Sequence, residues 1–246
     1  MADEQVTRFL ARAGVSSRRG AATLVTSGVV CINGLPARVG MRVDADRDQV
    51  TVRGTVVRPP TGCRYLALNK PVGVIVTAND PQHRKTVFDL LPEEERSRRL
   101  FAVGRLDQDS SGLLLLTDDG ELAYRVTHPR FQVPKEYEAV VAGALGDREL
   151  RRLRKGMELE DGPTAPAEVE VLSSWQDLCR VRIVIAEGRK RQVRRMFDAV
   201  GHPVKRLTRL AVGPVRLGRL RVGGYRRLTD RELAGLEVAV DRGRES

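Results

Sequence analysis

The chain has 246 residues, 43 Lys+Arg against 32 Asp+Glu, and a formal net charge of +11. That length accommodates two domains with separate cores, and the charge points to a polyanionic partner, nucleic acid before an acidic membrane surface. The start, MADEQVTRFL, lacks the apolar region of a secretory signal and no apolar run is long enough to cross a bilayer, so a soluble, cytoplasmic protein is expected. In chain order, Val6, Phe9, Leu10 and Ala13 recur at helical spacing, with Gly14 as a left-handed stop. Ser16 or Ser17 can cap a second helix carrying Ala21, Ala22, Leu24 and Val25 and ending near Gly28. VVCINGLPA then reads as a strand with a tight turn at Asn33-Gly34, and DQVTVRG as another short strand. Arg8, Arg12, Arg18 and Arg19 lie on or beside the two helices, as one basic binding face or as an ordinary solvated surface.

The run RFLARAGVSSRRGAATLVTSGVVCINGLPARVGMRV resembles the S-four-type RNA-binding domain, a small α/β module, over about residues 5 to 54. The Ser-Arg-Arg step and the Val-x-x-Asn-Gly turn carry the resemblance, although that family usually has a more lysine-rich first helix. It implies RNA contacts for Arg8, Arg18 and Arg19. RGTVVRPPTGCRY follows, mixing arginine with Pro59, Pro60 and Gly62, a composition that suits a linker. The expected domains are therefore 1–60 and 61–246.

From Tyr65 onward, short β-rich runs (YLALNKPVGVIVT, LLLLT, EYEAVVAG, AEVEVLSS, CRVRIVIAEG) alternate with helical ones (DRELRRLRKG, RQVRRMFDAVG). Strands in runs rather than strict alternation predict an α+β fold with a mixed, mostly antiparallel sheet flanked by helices. Cys31, Cys63 and Cys179 are scattered and odd in number, which argues against a disulfide framework, and they read as reduced and structural. His83, His128 and His202 lack metal-ligand spacing, so no metal is implied. Absence of heptads makes a monomer the default expectation.

The segment GRLDQDSSGLLLLT, residues 104–117, puts Arg105 and Asp107 in a loop feeding a strand apolar enough to be buried. Alone, such an aspartate would simply brace a turn. Three further segments mix polar and apolar residues: LNKPVG at 68–73, VPKEYEAVV at 133–141 and EGRKRQVRRMF at 187–197. In the last, Val193, Met196 and Phe197 alternate with arginines, so some arginines face the core side of a helix. A buried arginine needs a carboxylate or phosphate partner, and Asp107 is a candidate.

With these four segments in order, the chain resembles the bacterial ribosomal RNA pseudouridine synthases that carry an N-terminal S-four domain. The matching motifs are Asn69-Lys70-Pro71-Val72-Gly73, Gly104-Arg105-Leu106-Asp107 through Gly112 to Thr117, Lys135-Glu136-Tyr137, and Glu187 through Met196. The resemblance implies that Asp107 is the essential catalytic residue, acting as nucleophile or as base on the sugar. It implies Arg194 as the basic partner of that aspartate and Tyr137 as the active-site tyrosine stacking on the base. Arg105 either touches RNA near a flipped nucleotide or braces the loop, and Lys70 supports the site or binds phosphate. Arg189, Arg191 and Arg195, with the stretch from Lys205 to Arg209, would supply backbone contacts that offset base flipping. No cofactor is implied. Ser110 stands where relatives commonly have threonine, and Asp118 where many have asparagine, which adds a negative charge near the site.

An S-four-domain methyltransferase would need a glycine-rich donor loop, and no G-x-G-x-x-G stands in residues 60–246. A non-catalytic ribosome-assembly factor stays open; replacing Asp107 would leave it untouched. EGRKRQVRRMF looks closer to the large-subunit enzymes, implying 23S rRNA in a stem-loop of the peptidyl-transferase region, with 16S rRNA as the alternative.

Overall fold

The computed structural model describes residues 3–242, so the outermost residues of the two expected domains, 1–2 and 243–246, lie outside it. The chain separates into two compact units: residues up to Cys63 together with Glu93–Leu100, and Arg64–Pro92 with the chain from Phe101 onward. The excursion 93–100 thus groups with the first unit, whereas sequence placed it in the second.

In the first unit, β1 (Glu4–Gln5) leads into α1 (Val6–Arg12), whose Val6, Phe9 and Leu10 are fully or nearly fully buried. Ser17 caps α2 (Arg18–Thr26), its hydroxyl accepting from the Gly20 amide at 3.1 Å. β2 (Val30–Ile32) and β3 (Leu35–Pro36) form a hairpin through Asn33 and Gly34, at φ 51° and 81°. Both residues are left-handed, the backbone that a two-residue hairpin turn requires. β4 (Arg42–Val43) pairs with β1, while β5 (Val50–Val52) and β6 (Thr55–Val57) complete a four-stranded antiparallel sheet in the order β3-β2-β5-β6. Asn33 clasps this sheet, donating to Asp48 at 2.9 Å and accepting from the Gln49 amide at 2.8 Å. α3 (Glu93–Arg96) lies in the excursion, and Arg98 just beyond it donates to the Gly62 carbonyl at 2.7 Å.

The four arginines of this unit are not equivalent. Arg12 and Arg8 both meet Glu4, at 2.6 and 3.5 Å, whereas Arg18 and Arg19 at the start of α2 are exposed.

The second unit runs β7 (Tyr65–Lys70), β8 (Phe101–Val103), β9 (Ser111–Thr117), α4 (Gly120–Thr127), β10 (Lys135–Ala142), α5 (Asp147–Lys155), β11 (Glu158–Leu159) and β12 (Gly162–Pro163). It continues with β13 (Glu168–Trp175), β14 (Leu178–Ile185), α6 (Gln192–Asp198), β15 (Val204–Val212), β16 (Val215–Arg216), β17 (Tyr225–Arg227) and α7 (Asp230–Arg242). Nine strands form one sheet with the path β13-β14-β10-β15-β9-β7-β17; β16 pairs with β15 and β8 with β9. Every pairing is antiparallel except β9 with β15, so the α+β class with a mixed, mostly antiparallel sheet holds. β9 is central and buried from Gly112 to Thr117, which is why its four leucines run without alternation. Leu113 and Leu115 pack with Val126 of α4, Phe131, Val212 and Leu236 of α7 in the main core.

The parallel pair depends on one glycine. Gly112 lies opposite Arg209 at φ +104°, and a Cβ there would sit 2.3 Å from the Arg209 carbonyl oxygen and 2.6 Å from its nitrogen. Asn69 fastens β7 to the loop before β17: its side chain donates to Leu220 O at 2.8 Å and its amide to Gly224 O at 2.9 Å. Cys179 is buried, but Cys63 is exposed rather than packed into a core. Among the described residues no helix is long and apolar enough to cross a membrane.

Candidate active site

The loop between β8 and β9 carries Asp107 to the mouth of an open cleft of about 260 Å³ within the second unit. Tyr137 lines the same cleft from β10. The side chains of Lys135 and Tyr137 share one face of β10 by strand alternation, and Arg209 is the cross-strand neighbour of Tyr137 on β15. Arg189, Lys190 and Arg191 approach from the segment entering α6. The Asp107 side chain is 38% exposed and so accessible to a reactant.

The loop is held from below. Lys70, fully buried at the end of β7, donates through Nζ to the carbonyls of Ser110 at 2.7 Å, Pro71 at 2.9 Å and Gln108 at 3.5 Å. Gln108 and Gly73 exchange hydrogen bonds, Gly73 N to Gln108 O at 2.8 Å and Gln108 Nε2 to Gly73 O at 3.2 Å. Burial pushes the Lys70 amine down to about 8, against the opposing pull of Asp107 and Asp109.

The match to the family model described as RNA pseudouridylate synthase spans residues 64–199, and the S4 domain model matches residues 7–50. The chain belongs to the RNA pseudouridylate synthase family. It is 42% identical over 242 residues to an RNA pseudouridine synthase of Aquifex aeolicus, covering 98% of this chain and 96% of that one. It is 40% identical over 246 residues to the ribosomal large subunit pseudouridine synthase B of Bacillus subtilis, covering 99% of each. A crystal structure of a pseudouridylate synthase superposes with a TM-score of 0.68 at 31% identity, covering 95% of this chain and 99% of the other. An isomerase domain preceded by an S4 domain is therefore the composition of this synthase.

Within the synthase cleft, the charge pairing departs from the sequence expectation. Arg194 was the expected partner of Asp107, but its guanidinium donates to the Asp109 carbonyl at 3.0 Å, the Ser110 hydroxyl at 3.3 Å and Val204 O at 3.1 Å. Arg191 takes the position beside Asp107, with Nη1 at 3.8 Å, while binding Asp109 with both nitrogens at 3.1–3.2 Å. The reason lies in the start of α6: Arg191 is its N-cap, with φ 52°, and projects toward the loop, whereas Arg194 is one turn inside and buried. Burial raises the pKa of Asp109, but hydrogen bonds from Arg191 and the charges of Arg194 and Arg191 outweigh it and hold the carboxyl below its ordinary range.

Other expectations shift too. Lys70 is fully buried and cannot reach a phosphate, so its phosphate-binding alternative is withdrawn in favour of support for the loop. Arg195 grips Asp161 of the β11–β12 hairpin with both nitrogens, at 2.8 and 2.9 Å, and Arg189 also bonds Asp161 at 3.0 Å. Both therefore anchor the hairpin, although Arg189 still lines the cleft. Arg105 is exposed at the cleft rim and makes no hydrogen bond or ion pair among the described residues, which disfavours the bracing alternative. Asp118 lies at the far end of β9 from Asp107 and accepts from the Arg64 amide at 2.7 Å, so its charge is not near the site. Ser110, buried, accepts from Arg194 and offers its carbonyl to Lys70.

Two cleft residues take places the sequence did not assign them. Lys135 entered only as part of the Lys135-Glu136-Tyr137 motif, with no role, and Arg209 as the end of a stretch expected to contact the RNA backbone; they are 9% and 4% exposed and line the cleft, so Arg209 is too buried for that contact. Only the alternation of burial in KEYEAVVA, with Lys135 on the inward register of Tyr137, hinted at the place of Lys135.

Proposed function

We propose that this synthase converts a uridine of ribosomal RNA, in the large subunit, into pseudouridine, with Asp107 as its catalytic carboxylate. The observation that carries the reading is Asp107 at the mouth of the Tyr137-lined cleft, on a loop buttressed by Lys70 and flanked by Arg191. A uridine stacked in a helix cannot enter such a cleft, so the nucleotide is extruded at a cost of roughly a few kcal/mol, offset by backbone contacts. Tyr137 gives the base a stacking surface, and Asp107 meets the ribose, attacking C1′ or removing a sugar proton. The bond from C1′ to N1 breaks, the base turns while captive, and C5 takes the bond. Arg191 orients the carboxylate from 3.8 Å, with Arg194 acting one step behind through Asp109 and Ser110.

Residues 1–60 act as the RNA-binding domain, with Arg18 and Arg19 exposed for phosphate contacts, and 61–246 as the catalytic domain. Arg105, Lys190 and Arg191 serve the RNA backbone at the cleft rim. The large-subunit assignment rests on EGRKRQVRRMF and on the similarity to the large subunit synthase of Bacillus subtilis.

The test is carbodiimide treatment and primer extension across both rRNAs from cells with the native gene, no gene, or Asp107→Asn. One 23S stop lost identically in the last two strains is the expected result. A lost 16S stop moves the substrate to the small subunit, and stops unchanged in all strains sink the rRNA reading in favour of an assembly factor.

A further inference from the structure

Two buried cations in the cleft have no anion of their own. Arg209 donates from Nε to the Leu113 carbonyl at 2.7 Å, but its Nη2 is enclosed and has no hydrogen-bond partner. Lys135 sits two residues from Tyr137 on the same strand face, 9% exposed. Among the described residues no carboxylate comes within ion-pair distance of either. Glu187 attracts Lys135, but its Oε1 already accepts from the Ala165 amide at 3.0 Å and from the Gln192 side chain. Buried cations that repel each other are costly unless an anion joins them.

We infer that Lys135 and Arg209 form a site that holds the negative charge of the detached base. This rests on the reading that uridine is flipped into the cleft. Depth selects the base over phosphate: the polymer's phosphates stay at the mouth with exposed Arg105, Lys190 and Arg191, while only a flipped base reaches the strand face behind Tyr137. When the bond from C1′ to N1 breaks, its electron pair leaves with N1 and the base becomes a monoanion with charge spread onto its carbonyl oxygens. C5 then bonds to C1′, C5 releases its proton and N1 gains one, so the isomerisation needs no oxidant or reductant. Preorganised cations aimed at that developing charge act where water is excluded. Burial, with the adjacent Arg209 charge, pushes the Lys135 amine down to about 8 against the pull of Glu187, which leaves it mostly protonated at neutral pH.

The test compares binding of 5-nitrouracil, ionised at neutral pH, with neutral uracil on the full chain, in the parent, Lys135→Met and Arg209→Lys. The parent should prefer the anion by roughly tenfold or more, as charge-assisted hydrogen bonds imply, and Lys135→Met should abolish that preference without weakening uracil. No preference in the parent, or one that both variants keep, overturns the inference. Lys135→Met should melt no lower than the parent, since it removes an unpaired buried charge. In single-turnover reactions on an rRNA transcript, its rate should fall about 10²–10³-fold with RNA half-saturation unchanged. Half-saturation that rises at an unchanged rate marks a phosphate contact and equally overturns it. A parent inactive on rRNA transcripts counts against the rRNA reading alone, because the base-binding comparison stands without it.

Discussion

Replacing Gly112 by alanine tests whether the parallel join of β9 and β15 shapes the site. The new Cβ would lie 2.3 Å from the carbonyl oxygen and 2.6 Å from the nitrogen of Arg209, backbone atoms that cannot swing aside. Overpacking of this kind costs about 1–3 kcal/mol. The φ of +104° adds a penalty of about 1–2 kcal/mol for a residue with a Cβ. Gly162→Ala is the matched control, since Gly162 has φ +100° with nothing within 4 Å of the added carbon. Thermal and urea unfolding should therefore show Gly112→Ala about 1–3 kcal/mol less stable than Gly162→Ala, with the difference assigned to the close approach. Because the strain falls on Arg209 and on the strand that begins one residue after Ser110, single-turnover activity should drop by roughly 10²-fold, the scale of a 1 Å misplacement. Equal stabilities of the two variants would refute the argument that this contact is rigid.

Arg191→Ala should change stability by less than about 1 kcal/mol, because its ion pairs are half exposed, yet lower the turnover rate by roughly 10²-fold as Asp107 loses its flanking charge; parent-like kinetics would dismiss Arg191 as a partner. Lys70 is depressed to about 8 in the folded state, so the unfolded chain binds more protons from there to about 10.4, and stability should rise with pH over that interval. Lys70→Met should flatten that rise in urea titrations at several pH values, with Lys135 contributing the same sign, while also lowering stability near neutrality by about 1–3 kcal/mol through carbonyls left unpaired. Replacing Arg18 and Arg19 together by alanine should weaken RNA binding and reduce the slope of log affinity against log salt by about 1–2, leaving the saturated rate unchanged; an unaltered slope would mean that these arginines face solvent only.

Local signals account for much of what was readable in the chain. Helical spacing of Val6, Phe9 and Leu10, the Ser17 cap, the Asn33-Gly34 turn and the leucine run of β9 each depend on neighbours within a few residues, and each formed as its local chemistry dictates. Motif order likewise sufficed to bring Asp107 and Tyr137 under consideration. The two-residue strands β11 and β12 were not read from the sequence: a pair this short is marginal by itself, and its turn is held from outside by Arg189 and Arg195 through Asp161.

Partner choice was a tertiary decision. Sequence could say that a buried arginine of EGRKRQVRRMF needs a carboxylate or phosphate partner, but the left-handed N-cap turned Arg191 rather than Arg194 toward Asp107. Asp161 took Arg195 away from solvent because the hairpin folds back onto α6. Lys135 and Arg209 stand 74 positions apart in the chain and meet because β10 and β15 are adjacent in the sheet. Hydrophobic period and turn chemistry are properties of a short stretch, whereas a charge acquires its partner from whichever strand the sheet brings alongside.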